Sequence, residues 1–323
     1  IESRMASRLI CISVPPLESE HVGFGEVGQW AIQNIVREGD HVIFLSILEL
    51  EDELGQETTF NTREHEAARE RIHQREGDLK AVLGTLLDPQ LSELRGRNMG
   101  AEVRVLHGDD PRNVLVNTVE RFGVSILVLG NRQHAHVQTL PRLLLGSMSE
   151  FCILHAECAV AIARELPVQC GGRRLGIAIE PKTGKSVLEW ILHNVIAEND
   201  TLLFFMADKR VKQETMVDTT KGRQSAAAGG HEAGQSPQDT LLDIVRPFLL
   251  QCRCPLTGHS GILLVGDPRA ALDTACRMHN VSTLVIGATR GGIVKRLLLG
   301  STASYCMRHC PCPVLLVRGG PHK

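Results

Sequence analysis

The chain is written twice. RLICISV (8–14) resembles RLGIAIE (174–180), and GQWAIQNIVREGDHVIFLSI (28–47) resembles VLEWILHNVIAENDTLLFFMA (187–207). In the second pair Trp30 falls on Trp190, Asn34 on Asn194 and Asp40 on Asp200. RVLHGDDPR (104–112) matches LLVGDPR (263–269), and VSILVLG (124–130) matches VSTLVIG (281–287). PRLLLGSMSEFCILHAECAVAIAR (141–164) matches KRLLLGSTASYCMRHCPCPVLLVR (295–318). All these blocks keep one order, which is the signature of a duplicated unit. Each copy has about 150 residues, an ordinary domain size. The expectation is a domain over 5–166, a linker over 167–172 within ELPVQCGG, and a second domain over 173–319.

Each copy carries short apolar runs rich in β-branched residues, such as LICISV, HVIFLSI and SILVLG. Such runs suit strands buried on both faces of a parallel sheet. Helix-length segments separate them, most clearly TREHEAARERIHQREGDLKAVLGT (62–85). Alternating strands and helices imply a doubly wound α/β sheet in each copy, with right-handed crossovers. Residues 209–239 of copy two are small and polar without periodicity, and are expected to form a disordered insertion.

Composition narrows the partners. A net charge of −2 gives no support for nucleic acid or an anionic membrane, and aromatic residues at 3% are too few for stacking platforms. No apolar run is long enough to span a bilayer, so no membrane partner is expected. The N-terminus lacks a secretory pattern. Ten cysteines scattered through apolar runs fit free thiols in a reducing compartment, the cytoplasm with the nucleus as alternative.

Two stretches suggest phosphate chemistry. IAIEPKTGKSVLEWI (177–191) places Gly184, Lys185 and Ser186 after an apolar run. A P-loop needs G-x-x-x-x-G-K-[ST], and its leading glycine falls on Ile179, which completes a strand. A nucleotide-hydrolysing loop is therefore the lesser reading. The second stretch is GATRGGIVKRLLLGST (287–302) after strand VSTLVIG. Glycines let backbone approach an anion, and the N–H groups opening the helix after Gly300 point at it. Ser301 and Thr302 add hydroxyl donors.

These residues resemble a family. A fourth strand, G-x-x-G-x9-G-[ST] and a helix leading into CPVLLV are similar to the universal stress protein family, together with LLLGS and GDPR. The resemblance covers both copies and implies five-stranded parallel sheets of order 3-2-1-4-5, a Rossmann-like fold. The family has members that bind ATP and members that do not, and commonly dimerises through its fifth strand. Gly287, Gly300 and Ser301 match the motif, whereas its second glycine falls on Arg290, followed by Gly291 and Gly292. By the same resemblance the acidic residue facing the nucleoside falls on Glu180, after Ile179. Ala207 takes the place of an apolar residue beside the adenine, and Ile286 precedes the first motif glycine. In copy one the acidic position is read as Val14, and the spacing from Gly130 to Gly146 is 16, against 13 from Gly287 to Gly300. Copy one is expected to have lost nucleotide binding.

The implied ligand is an adenine nucleotide, ATP with Mg²⁺ first, in copy two of a sensor or regulatory protein. The alternative is an interaction scaffold that binds no nucleotide. The two last strands, 158–164 and 312–318, are expected to pair with each other. Cys152, His155 and Cys158 repeat as Cys306, His309 and Cys312, a spacing that resembles zinc ligation, but each set spans a helix end and a strand start, and packing is the reading adopted. No nucleophile–base–acid set is visible, so no catalytic residue is assigned and weak ATP hydrolysis is the most expected.

Overall fold

A computed structural model describes residues 7–16, 24–50, 62–130, 145–164, 172–220, 235–252, 255–288 and 299–318. The chain divides into two compact units between Ala163 and Arg164. The first unit runs β1 (Leu9–Ser13), α1 (Phe24–Asn34), β2 (His41–Glu49), α2 (Thr62–Leu86), α3 (Asp88–Gly96), β3 (Gly100–Gly108), α4 (Pro111–Arg121), β4 (Ile126–Gly130), α5 (Ser147–His155) and β5 (Ala159–Ala163). Its strands are all parallel and lie in the order β3-β2-β1-β4-β5. The apolar runs follow from this layering. β2 carries seven consecutive buried residues because helices cover both of its faces. Among those helices α1 packs with α3, and α4 with α5.

The second unit runs β6 (Arg174–Ala178), α6 (Gly184–Asn194), β7 (Thr201–Ala207), β8 (Thr215–Val217), α7 (Pro237–Gln251), β9 (Gly258–Leu264), α8 (Pro268–Met278), β10 (Thr283–Ala288), α9 (Ser301–His309) and β11 (Val314–Arg318). Five strands are parallel in the order β9-β7-β6-β10-β11, the same topology as the first unit. A sixth, β8, pairs antiparallel with the outer side of β9. The second unit thus keeps the expected five-stranded parallel sheet and adds β8 antiparallel at its edge.

β8 lies within 209–239, so the expectation of a wholly disordered insertion is corrected for its described parts. Met216 of β8 opposes Ile262, while Val217 packs inward at 3% exposure. The insertion also contains the start of α7. Ser236 caps that helix by accepting from the Asp239 amide at 3.1 Å, with Pro237 next to it. Ser-Pro-x-Asp is a helix-start signature, and the polar residues before it mask it in the sequence. Residues 221–234, and 165–171 of the linker, lie outside the described residues.

The duplicated residues make duplicated contacts. Arg8 Nε and Nη2 fork onto the Asp40 carboxylate at 2.9 and 2.5 Å, and Arg173 does the same to Asp200 at 2.8 and 2.6 Å. Each carboxylate also accepts a turn amide at 2.8 Å, from Arg37 and from Ala197. Asn34 and Asn194 each donate to the carbonyl of the tryptophan one turn earlier, at 3.0 and 2.8 Å. The turn into each second strand passes through a left-handed residue, Gly39 at φ 85° and Asn199 at φ 65°. Glycine and asparagine tolerate that region best.

These contacts correct the register of the repeat. The His41 amide bonds Arg8 O and the Thr201 amide bonds Arg173 O, both at 2.9 Å. Likewise Val14 N reaches Leu45 O at 2.8 Å, and Ile179 N reaches Phe205 O at 2.7 Å. Arg8 therefore matches Arg173, not Arg174, and Val14 matches Ile179. The counterpart of Glu180 is Pro15, not Val14. Adjacent arginines at 173 and 174 allow either register in the sequence; the buried carboxylate of Asp200 chooses one. Copy one still lacks an acid at the position, so the contrast between copies stands.

Candidate functional site

The strand order of the second unit reverses between β6 and β10, which flank each other with Val285 opposite Ile177. In open α/β sheets a ligand sits beyond the carboxyl ends of the strands at this reversal. Glu180 follows β6 there and is exposed, and Gly287 is the penultimate residue of β10, half-buried. The Thr183 hydroxyl donates to Glu180 Oε2 at 3.1 Å. Thr183 is the residue that sequence reasoning missed. Its own amide and that of Gly184 bond Glu180 O at 3.2 and 2.7 Å, so the carboxylate is held by a tight turn leading into α6.

α9 packs on β10, and the crossover from β10 through α9 to β11 sets the N-terminus of α9 at the carboxyl rim. Gly300 is its N-cap, with φ −57° and ψ 150°, and offers no side-chain acceptor to the first amides. A Cβ built on Gly300 meets none of the described residues within 4 Å. Ser301 is exposed and Thr302 half-buried. The first turn of α9 carries no acid, whereas the matching turn of α5 in the first unit keeps Glu150. Met148 stands in the first unit where Thr302 stands in the second. The second unit alone therefore presents hydroxyls without an opposing carboxylate at this helix start.

The remaining expected residues divide. Ile179 and Ile286 are each 5% exposed and belong to the core behind the rim. Ala207 ends β7 beside Leu264, half-buried. Arg290 and Gly291 lie outside the described residues. Gly287 has a packing reason of its own. A Cβ there would lie 2.7 Å from Val187 Cγ2 of α6 and 3.2 Å from Thr183 Oγ1. Gly130 meets Val27 Cγ2 at 3.1 Å in the same way, so the first motif glycine lets a helix approach the sheet. Gly287→Ala is expected to cost about 1–3 kcal/mol through this overpacking. Urea unfolding of the variant checks it.

The GKS stretch does not form a phosphate loop. Gly184, Lys185 and Ser186 are the first turn of α6, and Ile179 continues the strand by its bond to Phe205. A Cβ on Gly184 would press on Ile179 and Ile244 at 3.2 and 3.3 Å, which explains that glycine by packing. The Ser186 hydroxyl turns back to Thr183 O at 2.8 Å. Lys185 instead borders a groove of about 110 Å³ between α6 and α7, floored by Leu188, Leu192, Ile244 and Phe248. That groove contains none of Glu180, Gly287 or Ser301 and is distinct from the rim.

GDPR is likewise explained locally. Asp267 caps α8 by accepting the Arg269 amide at 2.8 Å, and the Arg269 guanidinium folds back onto the same carboxylate. That hydrogen bond holds the Asp267 carboxyl down at about 2. Asp110 with Arg112, and Asp208 with Arg210, repeat the fork. Each pair neutralises itself, so these arginines are not spare charges for a phosphate. The repeated histidines are similarly engaged. His155 stacks on Phe151 at 4.0 Å and His309 on Tyr305 at 4.1 Å, each on its own helix. Among the described residues no cluster of metal-ligating side chains is present, and no helix is long and apolar enough to cross a membrane.

Comparison with known proteins converges with this architecture. The model of the universal stress protein family matches residues 26–164 and again 173–318. A universal stress protein A-like protein of Arabidopsis thaliana is 28% identical over 135 residues, covering 42% of this chain and 77% of that protein. A solved universal stress protein of Archaeoglobus fulgidus has a TM-score of 0.58 at 16% identity, covering 96% of this chain and 98% of its own. A functionally unknown protein of Pseudomonas aeruginosa has a TM-score of 0.57 at 14% identity, covering 98% and 94%. These likenesses establish the shared fold.

Proposed function

The chain belongs to the universal stress protein family as a tandem member, and from that premise we propose that its second unit binds an adenine nucleotide, ATP with Mg²⁺ or AMP, as a sensor or regulatory module. One observation carries the reading: the start of α9 combines a side-chain-free cap, two hydroxyls and no first-turn acid, with no described residue within 4 Å of a Cβ at Gly300. This donor set fits phosphate oxygens, which helix N-termini favour through their free amides and dipole. Glu180, held by Thr183, would accept from the ribose hydroxyls. Gly300, Ser301 and Thr302 would hold the phosphates. Ala207 would border the base.

Calorimetric titration of the full chain with ATP or AMP, with and without Mg²⁺, tests the proposal. The expected outcome is one site per chain. Lys185→Ala should leave the affinity within about twofold, because Lys185 faces the α6–α7 groove. No heat and no thermal shift at millimolar nucleotide would instead favour the scaffold reading. That second reading is supported by Gly287, whose place in the motif is already explained by the close approach of Val187.

Pairing of 158–164 with 312–318 is part of the same proposal. Unpaired edge strands invite association. If they pair, cleavage in the linker should leave the halves bound to each other in size-exclusion chromatography, and separate elution would count against it.

A further inference from the structure

Glu180 is exposed at the carboxyl rim, and a glutamate in the open samples many rotamers. Here its Oε2 is held by the Thr183 hydroxyl at 3.1 Å. Among the described residues no cation pairs with this carboxylate, and no second side chain bonds it. Oε1 and the remaining lone pair of Oε2 are left to accept from outside the protein.

Thr183 is itself immobilised. Its amide and that of Gly184 close on Glu180 O at 3.2 and 2.7 Å. Its carbonyl accepts from the Ser186 hydroxyl at 2.8 Å and from the Val187 amide at 3.0 Å. The β-branched side chain has few χ1 choices and lies against β10. Thr183 Oγ1 and Cβ are 3.2 and 3.5 Å from the place a Cβ would take on Gly287. Gly287 thus leaves room for the hydroxyl that orients Glu180. A carboxylate tied at one oxygen to a fixed hydroxyl loses less freedom on binding a ligand than an untethered one. The first unit has no such pair: Pro15 stands at the Glu180 position and brings no acceptor side chain.

We propose, resting on the adenine-nucleotide reading of the second unit, that the Thr183–Glu180 pair selects ribonucleotides over 2′-deoxyribonucleotides, with Thr183 as the positioning residue. A ribose diol offers two O–H donors side by side, and the oriented carboxylate has acceptors for both. A 2′-deoxy sugar leaves one acceptor desolvated without a donor. A 2′-phosphate meets the carboxylate's charge and is disfavoured as well. A buried site built around a substrate hydroxyl rejects the analogue lacking it by about 10⁴-fold or more. Glu180 is exposed, so water replaces part of what is missing, and the expected discrimination is about tenfold.

Competition titrations of the full chain with ATP and 2′-deoxy-ATP, both with Mg²⁺, test this. The unsubstituted chain should prefer ATP about tenfold. Thr183→Val keeps the branched shape beside Gly287 and removes the donor. Its preference should fall to about twofold, through weaker binding of ATP with 2′-deoxy-ATP little changed. Thr183→Ser should keep the preference, which a role in packing alone does not predict. Glu180→Gln, at an exposed position, should lower the preference too, and it carries the test if Thr183→Val does not fold. Equal affinity of the unsubstituted chain for the two nucleotides would overturn the sugar selection while leaving the phosphate seat standing. A tenfold preference that survives in Thr183→Val would overturn the part given to Thr183. Binding of neither nucleotide would overturn the nucleotide reading and the sugar selection with it.

Discussion

Gly300→Asp should weaken nucleotide binding by about tenfold or more while leaving the protein as stable as before, or more so. The backbone at Gly300 is extended, at φ −57° and ψ 150°, which aspartate adopts without strain. Among the described residues nothing lies within 4 Å of a Cβ at this position. The new carboxylate would accept from the first amides of α9, as Asp267 already does for α8. A gain of about 0.5 kcal/mol is expected from the cap and the dipole. The same carboxylate would occupy the seat proposed for phosphate and repel it. Repulsion between unit charges at this range is worth about 1–4 kcal/mol, so affinity should fall by about tenfold or more. Paired denaturation and titration experiments check both halves. A variant that loses stability, or that binds nucleotide as before, would place the phosphates elsewhere.

Asp200→Ala should be among the most damaging single changes to the second unit. The side chain is 2% exposed and neutralises Arg173, whose guanidinium is itself 14% exposed. Alanine removes the fork and the bond to the Ala197 amide together. It leaves a nearly buried guanidinium, which also bonds Val195 O at 2.6 Å, without its carboxylate. Breaking one side of such a pair costs about 3–5 kcal/mol, a large share of a typical domain's stability. Asp40→Ala should do the same to the first unit through Arg8. Replacing Arg173 and Asp200 together by apolar residues should recover much of the loss, because the orphaned charge is gone. Urea unfolding of the three variants measures each step.

The sequence makes the duplication, the strand runs and the topology legible because both copies keep the residues that build them. Asp40 and Asp200, Asn34 and Asn194, and the paired tryptophans recur because each closes the same contact twice. The register of the first strand was not legible: Arg173 and Arg174 are interchangeable as letters, and only the buried carboxylate distinguishes them. β8 was hidden because three residues with one inward side chain carry too little periodicity. At the rim, Gly300, Ser301 and Glu180 could be found from their motif. Thr183 could not, since its role depends on a turn that brings it over Gly287. The same contact shows why a glycine in a phosphate-binding pattern can owe its place to a neighbouring helix.

Hydrogen exchange of the full chain, compared with and without saturating ATP and Mg²⁺, tests the central claim most directly. The account predicts slowed exchange at the amides of residues 301–303 and at the turn 180–184, with the matching amides at 147–149 unchanged. Unaltered exchange at 301–303, or protection confined to the first unit, would contradict it.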